Sequence, residues 1–250
     1  MILIRAVVAA FSFLTVLPFG RLVALDGEDV ARGSVLFPVV GASIGALTGG
    51  AAWYLGDHLP PLLAAVLAVA IGAAVTGALH LDGLADCADG FGARTPEDRL
   101  RVMRDHTNGT YGGTALLLDL LIRVSALAAV AGTKDALLFA IAAGALSRSV
   151  GPLLAIALPY AQAKPGAGEA LSSFPSQPRA AAVVVIAGLV AFFCVDDATA
   201  YPLSLLATAV VIGLVGWTAK LRLGGVTGDV MGACSELVEI TVLTVLVATL

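Results

Sequence analysis

The 250 residues carry too little charge to cover the surface of a water-soluble domain. Hydrophobic residues make up 59% of the chain, charged residues make up 13%, and the mean hydropathy is +0.97, whereas soluble domains carry about 25% charged residues. The net charge of −4 comes without any basic run, so we expect no nucleic-acid partner. Composition therefore predicts a single all-α integral membrane domain over residues 1–250, with the lipid bilayer as its solvent.

Seven apolar segments are long enough to cross the hydrocarbon core, which takes roughly 20 helical residues. We predict spans at 34–56, 60–81, 113–132, 135–158, 180–196, 199–219 and 235–250. The apolar segment 2–19 is an eighth span, or else a re-entrant or interfacial helix, and the sequence leaves these alternatives open. The predicted fold is thus a polytopic membrane helix bundle of about seven transmembrane spans plus an N-terminal apolar helix.

Basic residues lie almost entirely in alternate connections between these spans. Ten of them occupy the connections 20–33, 82–112, 159–179 and 220–234: Arg21, Arg32, Arg94, Arg99, Arg101, Arg104, Lys164, Arg179, Lys220 and Arg222. The opposite loops contain Lys134 alone. Because loops rich in Lys and Arg remain in the cytoplasm, we predict that the four basic connections, and the polar motifs beside them, face the cytoplasm.

The first polar motif is the acidic stretch from His80 to Gly90, which follows an apolar run directly. On a helix Asp82, Asp86 and Asp89 would lie within about 60° of one another and span about 10 Å along the axis. Such a stripe of like charges needs protonation, an arginine or a hard divalent cation such as Mg²⁺, which prefers oxygen ligands. A solvated helix end is the alternative interpretation.

Residues 86–94 have the spacing Asp-x-x-Asp-Gly-x-x-Ala-Arg. This resembles the first half of the CDP-alcohol phosphotransferase signature, a metal-dependent phosphoryl-transfer motif. The second half is absent, because Met103 and Thr107 stand where the signature has Gly and Asp. A phospholipid-forming enzyme of that kind remains one alternative function. A cation-coupled transporter is another, since acidic residues within membranes also mark ion paths.

Further candidate residues lie beside two glycine-rich turns. Arg99, Arg101 and Arg104 lead into the first turn and are candidates for phosphate binding, because guanidinium groups form paired hydrogen bonds with phosphate. A cytoplasmic anchor of positive charge followed by a turn is the alternative interpretation. The backbone N–H groups at Gly109 and Thr110 precede the next predicted span and could meet phosphate oxygens. Near the second turn, Thr227 and Asp229 precede the last span.

Ionisable residues also lie inside predicted spans, where they are costly and are usually paired or functional. Glu236 and Glu239 share a helix face because they are three residues apart. We predict that Arg148 faces the acidic residues of the site. Asp119 and Arg123, four residues apart, are better explained as a structural pair.

Several blocks of sequence together resemble one enzyme family. They are His80-Leu-Asp-Gly-Leu-Ala-Asp-x-x-Asp-Gly90, Arg104-Asp105 with Gly109-Thr-x-Gly112, Ser147-Arg148, Gly224-Gly-x-Thr-Gly-Asp229 with Gly232-Ala-x-x-Glu236, and Phe13-Leu-Thr-x-x-Pro18. In these blocks the chain is similar to the cobalamin synthase (adenosylcobinamide-GDP ribazoletransferase) family. The blocks run from about residue 11 to about residue 240, so the resemblance covers essentially the whole chain.

The resemblance implies the final step of cobalamin nucleotide-loop assembly at the inner membrane, with Mg²⁺ as cofactor. The expected substrates are adenosylcobinamide-GDP and α-ribazole or its 5′-phosphate, and GMP is the expected leaving group. The metal ligands would be Asp82, Asp86 and Asp89. The catalytic residues would be Asp89, Asp105, Asp229 and Glu236. The substrate-binding residues would be His80, Arg94, Arg104, Gly109, Thr110, Arg148, Thr227 and Glu239. The oligomeric state is left open.

Overall fold

The computed structural model describes residues 2–21, 23–105, 107–161 and 168–250. Within these ranges the regular structure is helical, apart from one isolated bridge between Tyr160 and Val226. The predicted all-α fold is therefore confirmed. Lys164, one of the ten basic loop residues, lies outside the described residues.

The described residues form thirteen α-helices. In chain order they are α1 (Ile2–Leu14), α2 (Gly27–Gly33), α3 (Phe37–Gly56), α4 (Pro61–Thr76), α5 (Leu79–Phe91), α6 (Pro96–Val102), α7 (Thr110–Val130), α8 (Lys134–Arg148), α9 (Val150–Ala157), α10 (Glu169–Ser173), α11 (Gln177–Cys194), α12 (Ala200–Leu223) and α13 (Gly228–Ala248). Short 3₁₀ turns cover Pro18–Arg21 and Ser34–Leu36.

Six helical stretches among the described residues are long and apolar enough to cross a membrane. They are Gly27–Gly56, Thr110–Val130, Lys134–Ala157, Gln177–Cys194, Ala200–Leu223 and Gly228–Ala248. The pair formed by α4 and α5 makes a seventh if it is counted as one broken span. The prediction of about seven spans is confirmed, and α1 is the predicted apolar N-terminal helix. Together these helices indicate a multi-pass membrane protein.

The prediction of a continuous span over 60–81 is wrong. Helix α4 ends at Thr76, and α5 begins at Leu79 at an angle of 90° to it. Gly77 and Ala78 between them adopt left-handed φ angles of 60° and 56°. Glycine adopts this conformation readily, whereas for alanine it costs roughly 1–2 kcal/mol. The acidic stretch consequently lies on a helix of its own, α5, beyond a sharp bend.

A tertiary contact stabilises this break. The carbonyl of Val75, at the end of α4, accepts a 2.8 Å hydrogen bond from the backbone N–H of Val16, just beyond α1. The last carbonyls of a helix lack partners within the helix. The segment after α1 therefore satisfies one of these groups where α4 stops.

The last span begins seven residues before its predicted start at 235. Thr227 caps α13, because its side-chain oxygen accepts a 3.2 Å hydrogen bond from the N–H of Val230. This cap stabilises a helix start at Gly228. Asp229 and Glu236 consequently lie on one continuous helix, with Asp229 in its first turn.

Small residues set the close packing of α3 against α8. A Cβ atom at Gly41 would collide with the carbonyl of Gly144, and one at Gly45 would collide with the carbonyl of Ala140. Helices in membranes associate closely where such small residues recur every four positions. This contact fixes the C-terminal end of α8, where Arg148 lies.

Candidate active site

A cleft beside the crossing of α5 and α13 collects polar side chains from distant parts of the chain. It is lined by His80 and Asp82 from α5, Arg148 from α8, and Asp229 and Ser235 from α13, and its volume is about 80 Å³. The structure thus brings four of the five predicted blocks to one place, since Phe13 and Leu14 also line this cleft.

Glycine makes the close crossing of α5 and α13 possible. A Cβ atom at Gly83 would lie 2.9 Å from the carbonyl oxygen of Asp229 and 3.1 Å from its Cα. Both distances are shorter than ordinary van der Waals contact. The absence of a side chain at Gly83 therefore lets the start of α13 rest on the turn of α5 that carries Asp82 and Asp86.

His80 is buried at the inner end of this cleft. Its side chain is 8% exposed, and its Nδ1 atom has no hydrogen-bond partner among the described residues. A buried polar atom without a partner costs about 1–3 kcal/mol. His80 can therefore satisfy Nδ1 by contact with a bound ligand or water, and its predicted role in substrate binding stays a prediction.

Asp89 stabilises the start of α7. Its two carboxylate oxygens accept hydrogen bonds from the backbone N–H groups of Gly109, at 2.7 Å, and Gly112, at 2.9 Å. This is the favourable position for a negative charge at a helix N-terminus. The Gly109 N–H that was expected to meet phosphate donates to Asp89 instead in this structure. Roles for Asp89 in catalysis and metal binding stay predictions.

The contact of Asp89 with α7 can be tested by substitution. We expect Asp89→Ala to lower the free energy of unfolding by about 0.5–2 kcal/mol, because the exposed N–H of Gly109 and the part-buried N–H of Gly112 lose a charged acceptor. Thermal unfolding in detergent would measure this, with the exposed Asp57→Ala as the matched control. A stability equal to that of the control would contradict the capping role.

The acidic stretch has the geometry expected for a helical stripe, since Asp82, Asp86 and Asp89 all lie on α5. Across the described part of the chain, however, no three His, Cys, Asp or Glu side chains are grouped closely enough to hold a metal ion alone. In phosphoryl-transfer sites Mg²⁺ is usually bound by one or two carboxylates together with substrate phosphates. Asp82 and Asp229, which line the same cleft, fit that kind of site. The metal assignment stays a prediction.

Behind the cleft, two arginines meet three carboxylates in a buried ionic network, which we define as Asp119, Arg123, Arg148, Glu236 and Glu239. Arg123 pairs with Glu236, contacts Glu239 at 2.8 Å and contacts Asp119 at 3.3 Å. Arg148 contacts Glu239 at 2.8 Å and Glu236 at 3.7 Å. The predicted pairing of Asp119 with Arg123 is confirmed, and Arg148 does face acidic residues.

The ionic network retains unused hydrogen-bonding capacity. Asp119 Oδ1, Arg123 Nε and Arg148 Nε are buried and have no partner among the described residues. Buried groups of this kind are rare in native proteins and need a specific explanation. Because Arg148 also lines the cleft, Glu236 and Glu239 hold this arginine at the cleft wall. Their own predicted roles, in catalysis and in substrate binding, stay predictions.

Four predicted site residues lie on the surface between α5 and α7. Arg94, Arg104, Asp105 and Thr110 are exposed, and none of them lines the cleft as far as the structure describes it. Thr227 is fully buried and caps α13. The structure therefore gathers His80, Asp82, Arg148 and Asp229 and leaves the loop residues outside.

Tyr160 is a candidate functional residue that the sequence motifs did not predict. Backbone hydrogen bonds from Val226 to Pro159 at 2.8 Å and from Ala161 to Val226 at 2.9 Å hold it beside the start of α13. Partial burial raises the pKa of the Tyr160 phenol above its usual value, the carboxylates of Asp229 and Glu169 raise it further, and Arg104 opposes them. The phenol therefore stays protonated near neutral pH and can donate a hydrogen bond. Tyr160 lies beside the start of α13 only because two loops that are far apart in the chain pair with each other, so the sequence gives no sign of this position.

Comparison with known proteins identifies the family. Residues 6–247 match the cobalamin-5-phosphate synthase family. A relative from Chlorobaculum parvum is 40% identical over 96% of this chain and 94% of its own length. A relative from Pseudomonas aeruginosa is 38% identical over 97% of this chain and 98% of its own length. A relative from Shigella dysenteriae is 36% identical over 94% of this chain and 96% of its own length. All three are named adenosylcobinamide-GDP ribazoletransferase.

No solved structure matches the chain. The sequence match nevertheless covers every helix from α1 to α13 at least in part, including all the residues that line the cleft. The chain therefore belongs to the cobalamin-5-phosphate synthase family.

Proposed function

We propose that this protein is a transferase that joins adenosylcobinamide phosphate to a nucleoside. A ribose hydroxyl oxygen that α-ribazole and its 5′-phosphate both carry, and therefore not the 5′ oxygen, attacks the phosphorus atom attached to cobinamide in adenosylcobinamide-GDP. A new P–O bond forms, the P–O bond to GMP breaks, and the hydroxyl proton passes to a base. The names of the relatives and the resemblance in sequence support this reaction.

The observation that carries the proposal is the meeting of Asp82, Asp229 and Arg148 at one cleft. Phosphoryl transfer needs charge neutralisation and alignment of the attacking oxygen, and little other covalent work from the protein. Arg148 is suited to bind phosphate oxygens, because a guanidinium forms paired hydrogen bonds with them. Asp229 or Asp82 is suited to orient the attacking hydroxyl and accept its proton.

Magnesium dependence is part of the proposal. When bound, Mg²⁺ would neutralise charge on the pyrophosphate, and Asp82 with Asp229 would hold it through carboxylate oxygens. His80 would contribute a hydrogen bond to the bound substrate through Nδ1, which has no other partner among the described residues.

We further propose that the protein lies in the inner membrane with the cleft open to the cytoplasm. The basic residues of the four connections named above support this orientation. Both substrates are phosphorylated or polar metabolites, which a cleft on that side would receive directly from the cytoplasm.

Release of GMP is the direct test. The purified protein, in detergent or liposomes, should release GMP from adenosylcobinamide-GDP when α-ribazole is added, in equal amounts to the cobalamin formed. Chelation with EDTA should stop the release, and added Mg²⁺ should restore it. If chelation leaves the release of GMP unchanged, the magnesium requirement is refuted but the transfer reaction is not.

The same assay separates the alternatives. CDP-diacylglycerol offered in place of adenosylcobinamide-GDP should give no CMP release, and CMP release without GMP release would favour the CDP-alcohol phosphotransferase reaction. Cation flux in liposomes without GMP release would favour a transporter. The family match over residues 6–247 argues for the ribazoletransferase reaction over both.

A further inference from the structure

The side chains that line the cleft are of two chemical kinds. One set is polar, and we call it the polar end: His80, Asp82, Arg148 and Asp229. The other set is apolar, and we call it the aromatic end: Phe13, Leu14, Phe37, Leu171 and Met231. These side chains come from α1, α3, α10 and α13, so four separate helices converge to build it.

The aromatic end contains a stacked pair of rings. The centroids of Phe13 and Phe37 lie 5.5 Å apart, and their planes differ by only 8°. Leu14 and Phe37 are each 2% exposed, whereas Phe13 is partly buried. The cleft therefore offers flat aromatic surface beside aliphatic side chains and the polarisable thioether of Met231, which favours contact with an aromatic ring.

Leu171 and Met231 pack closely against two glycines. A Cβ atom at Gly151 would lie 3.1 Å from Cδ1 of Leu171, and one at Gly168 would lie 3.2 Å from Sδ of Met231. The absence of side chains at these two glycines therefore leaves room for Leu171 and Met231 at the wall of the cleft.

Helix α1, which supplies Phe13, is held at both ends. Arg5 Nε donates a 3.0 Å hydrogen bond to Asp29 of α2. Beyond the other end, the N–H of Val16 donates to Val75 at the break between α4 and α5. Phe13 lies between these two anchors, so the stretch of backbone that carries its ring is held on both sides.

We propose that the aromatic end binds the planar base of the nucleoside acceptor, an inference that rests on the proposed function. The acceptor would place its base between Phe13 and Met231 and extend its sugar towards Asp82 and Asp229. Bases stack on aromatic side chains in many nucleotide-binding sites. The polar end then meets the ribose hydroxyl that reacts.

The apolar walls distinguish the acceptor base from the guanine of the donor. Guanine carries several polar edge groups, which lose their hydrogen bonds in an apolar site, and an unpaired buried polar group is strongly unfavourable. Phe13, Leu14 and Leu171 offer no side-chain hydrogen bond. The site accordingly favours an aromatic base with few polar groups, such as a benzimidazole.

Kinetics of Phe13 variants test this assignment. Phe13→Ala and Phe13→Leu should raise KM for α-ribazole about tenfold, because stacking on the ring is lost, while KM for adenosylcobinamide-GDP and kcat change less than about twofold. Phe13→Leu keeps apolar volume and is expected to fold even if Phe13→Ala does not. Phe11→Ala is the matched control, since Phe11 packs edge-on against Phe19 at 6.0 Å and should leave both KM values unchanged.

A second measurement uses the choice of acceptor. The wild-type protein should prefer a benzimidazole riboside to the corresponding adenine riboside, and Phe13→Asn should reduce that preference. An unchanged KM for α-ribazole in active Phe13→Leu overturns this inference alone. A rise confined to the KM for adenosylcobinamide-GDP also overturns it, because the donor would then occupy the site. Absence of GMP release from the wild-type protein overturns the proposed function as well.

Discussion

Asp82→Asn is expected to lower kcat for GMP release about 100-fold or more, with a smaller change in KM for either substrate. Asp82 is exposed at the mouth of the cleft, on the turn of α5 against which Asp229 packs. Removal of a general base or of a carboxylate that holds a metal commonly costs this much. Asparagine keeps the size of the side chain and removes its charge, so the loss would report chemistry and not packing.

Asp229→Asn is expected to have a similar effect on kcat, because Asp229 lines the same cleft as Asp82. Asp57→Asn is the matched control, since Asp57 is exposed at the end of α3 and is not among the residues that line the cleft. Circular dichroism and size-exclusion profiles should be unchanged in all three variants. Near-normal kcat in both Asp82→Asn and Asp229→Asn would refute the placement of the reaction at this cleft.

Arg123→Met is expected to destabilise the protein by about 3–5 kcal/mol, the usual cost of removing one partner from a buried ion pair. Arg123 contacts all three carboxylates of the ionic network. Without Arg123, Arg148 is the remaining arginine of the ionic network and faces three carboxylates. The lower midpoint of thermal unfolding in detergent, measured at fixed detergent concentration, would show the effect.

Arg32→Met provides the comparison, because Arg32 and Glu28 form an exposed pair one helical turn apart. Such pairs contribute no more than about 0.5 kcal/mol. The double variant Arg123→Met with Glu236→Gln should recover part of the stability, since it keeps the 2.8 Å contact between Arg148 and Glu239 and removes one uncompensated charge. If Arg123→Met unfolds at the same temperature as Arg32→Met, the network contributes little to stability.

The sequence alone predicts features that depend on composition or on near neighbours. A hydrocarbon solvent forces backbone groups to pair within each segment, so apolar runs of about 20 residues must be helices. Helical periodicity likewise determines that Asp82, Asp86 and Asp89 share one face of α5. The pairing of Asp119 with Arg123 follows from the same rule, because residues four apart are neighbours on a helix.

The break between α4 and α5 is an intermediate case. Gly77 permits a left-handed conformation and is visible in the sequence, but glycine is common in membrane helices that do not break. Ala78 gives no signal at all. The hydrogen bond from Val16 to Val75 stabilises the break, and it joins residues 59 positions apart.

Only the tertiary structure reveals how the site is assembled. Asp89 contacts Gly109 and Gly112 from another helix, and Arg123 contacts Glu236 across 113 positions of the chain. The apolar segment around Phe13 becomes one end of the cleft because α1 packs beside α3. The pattern of residues along the chain reports local periodicity and solvent preference. Which distant side chains meet is decided by the packing of helices, and packing depends on small contact residues such as Gly83, which no periodicity singles out.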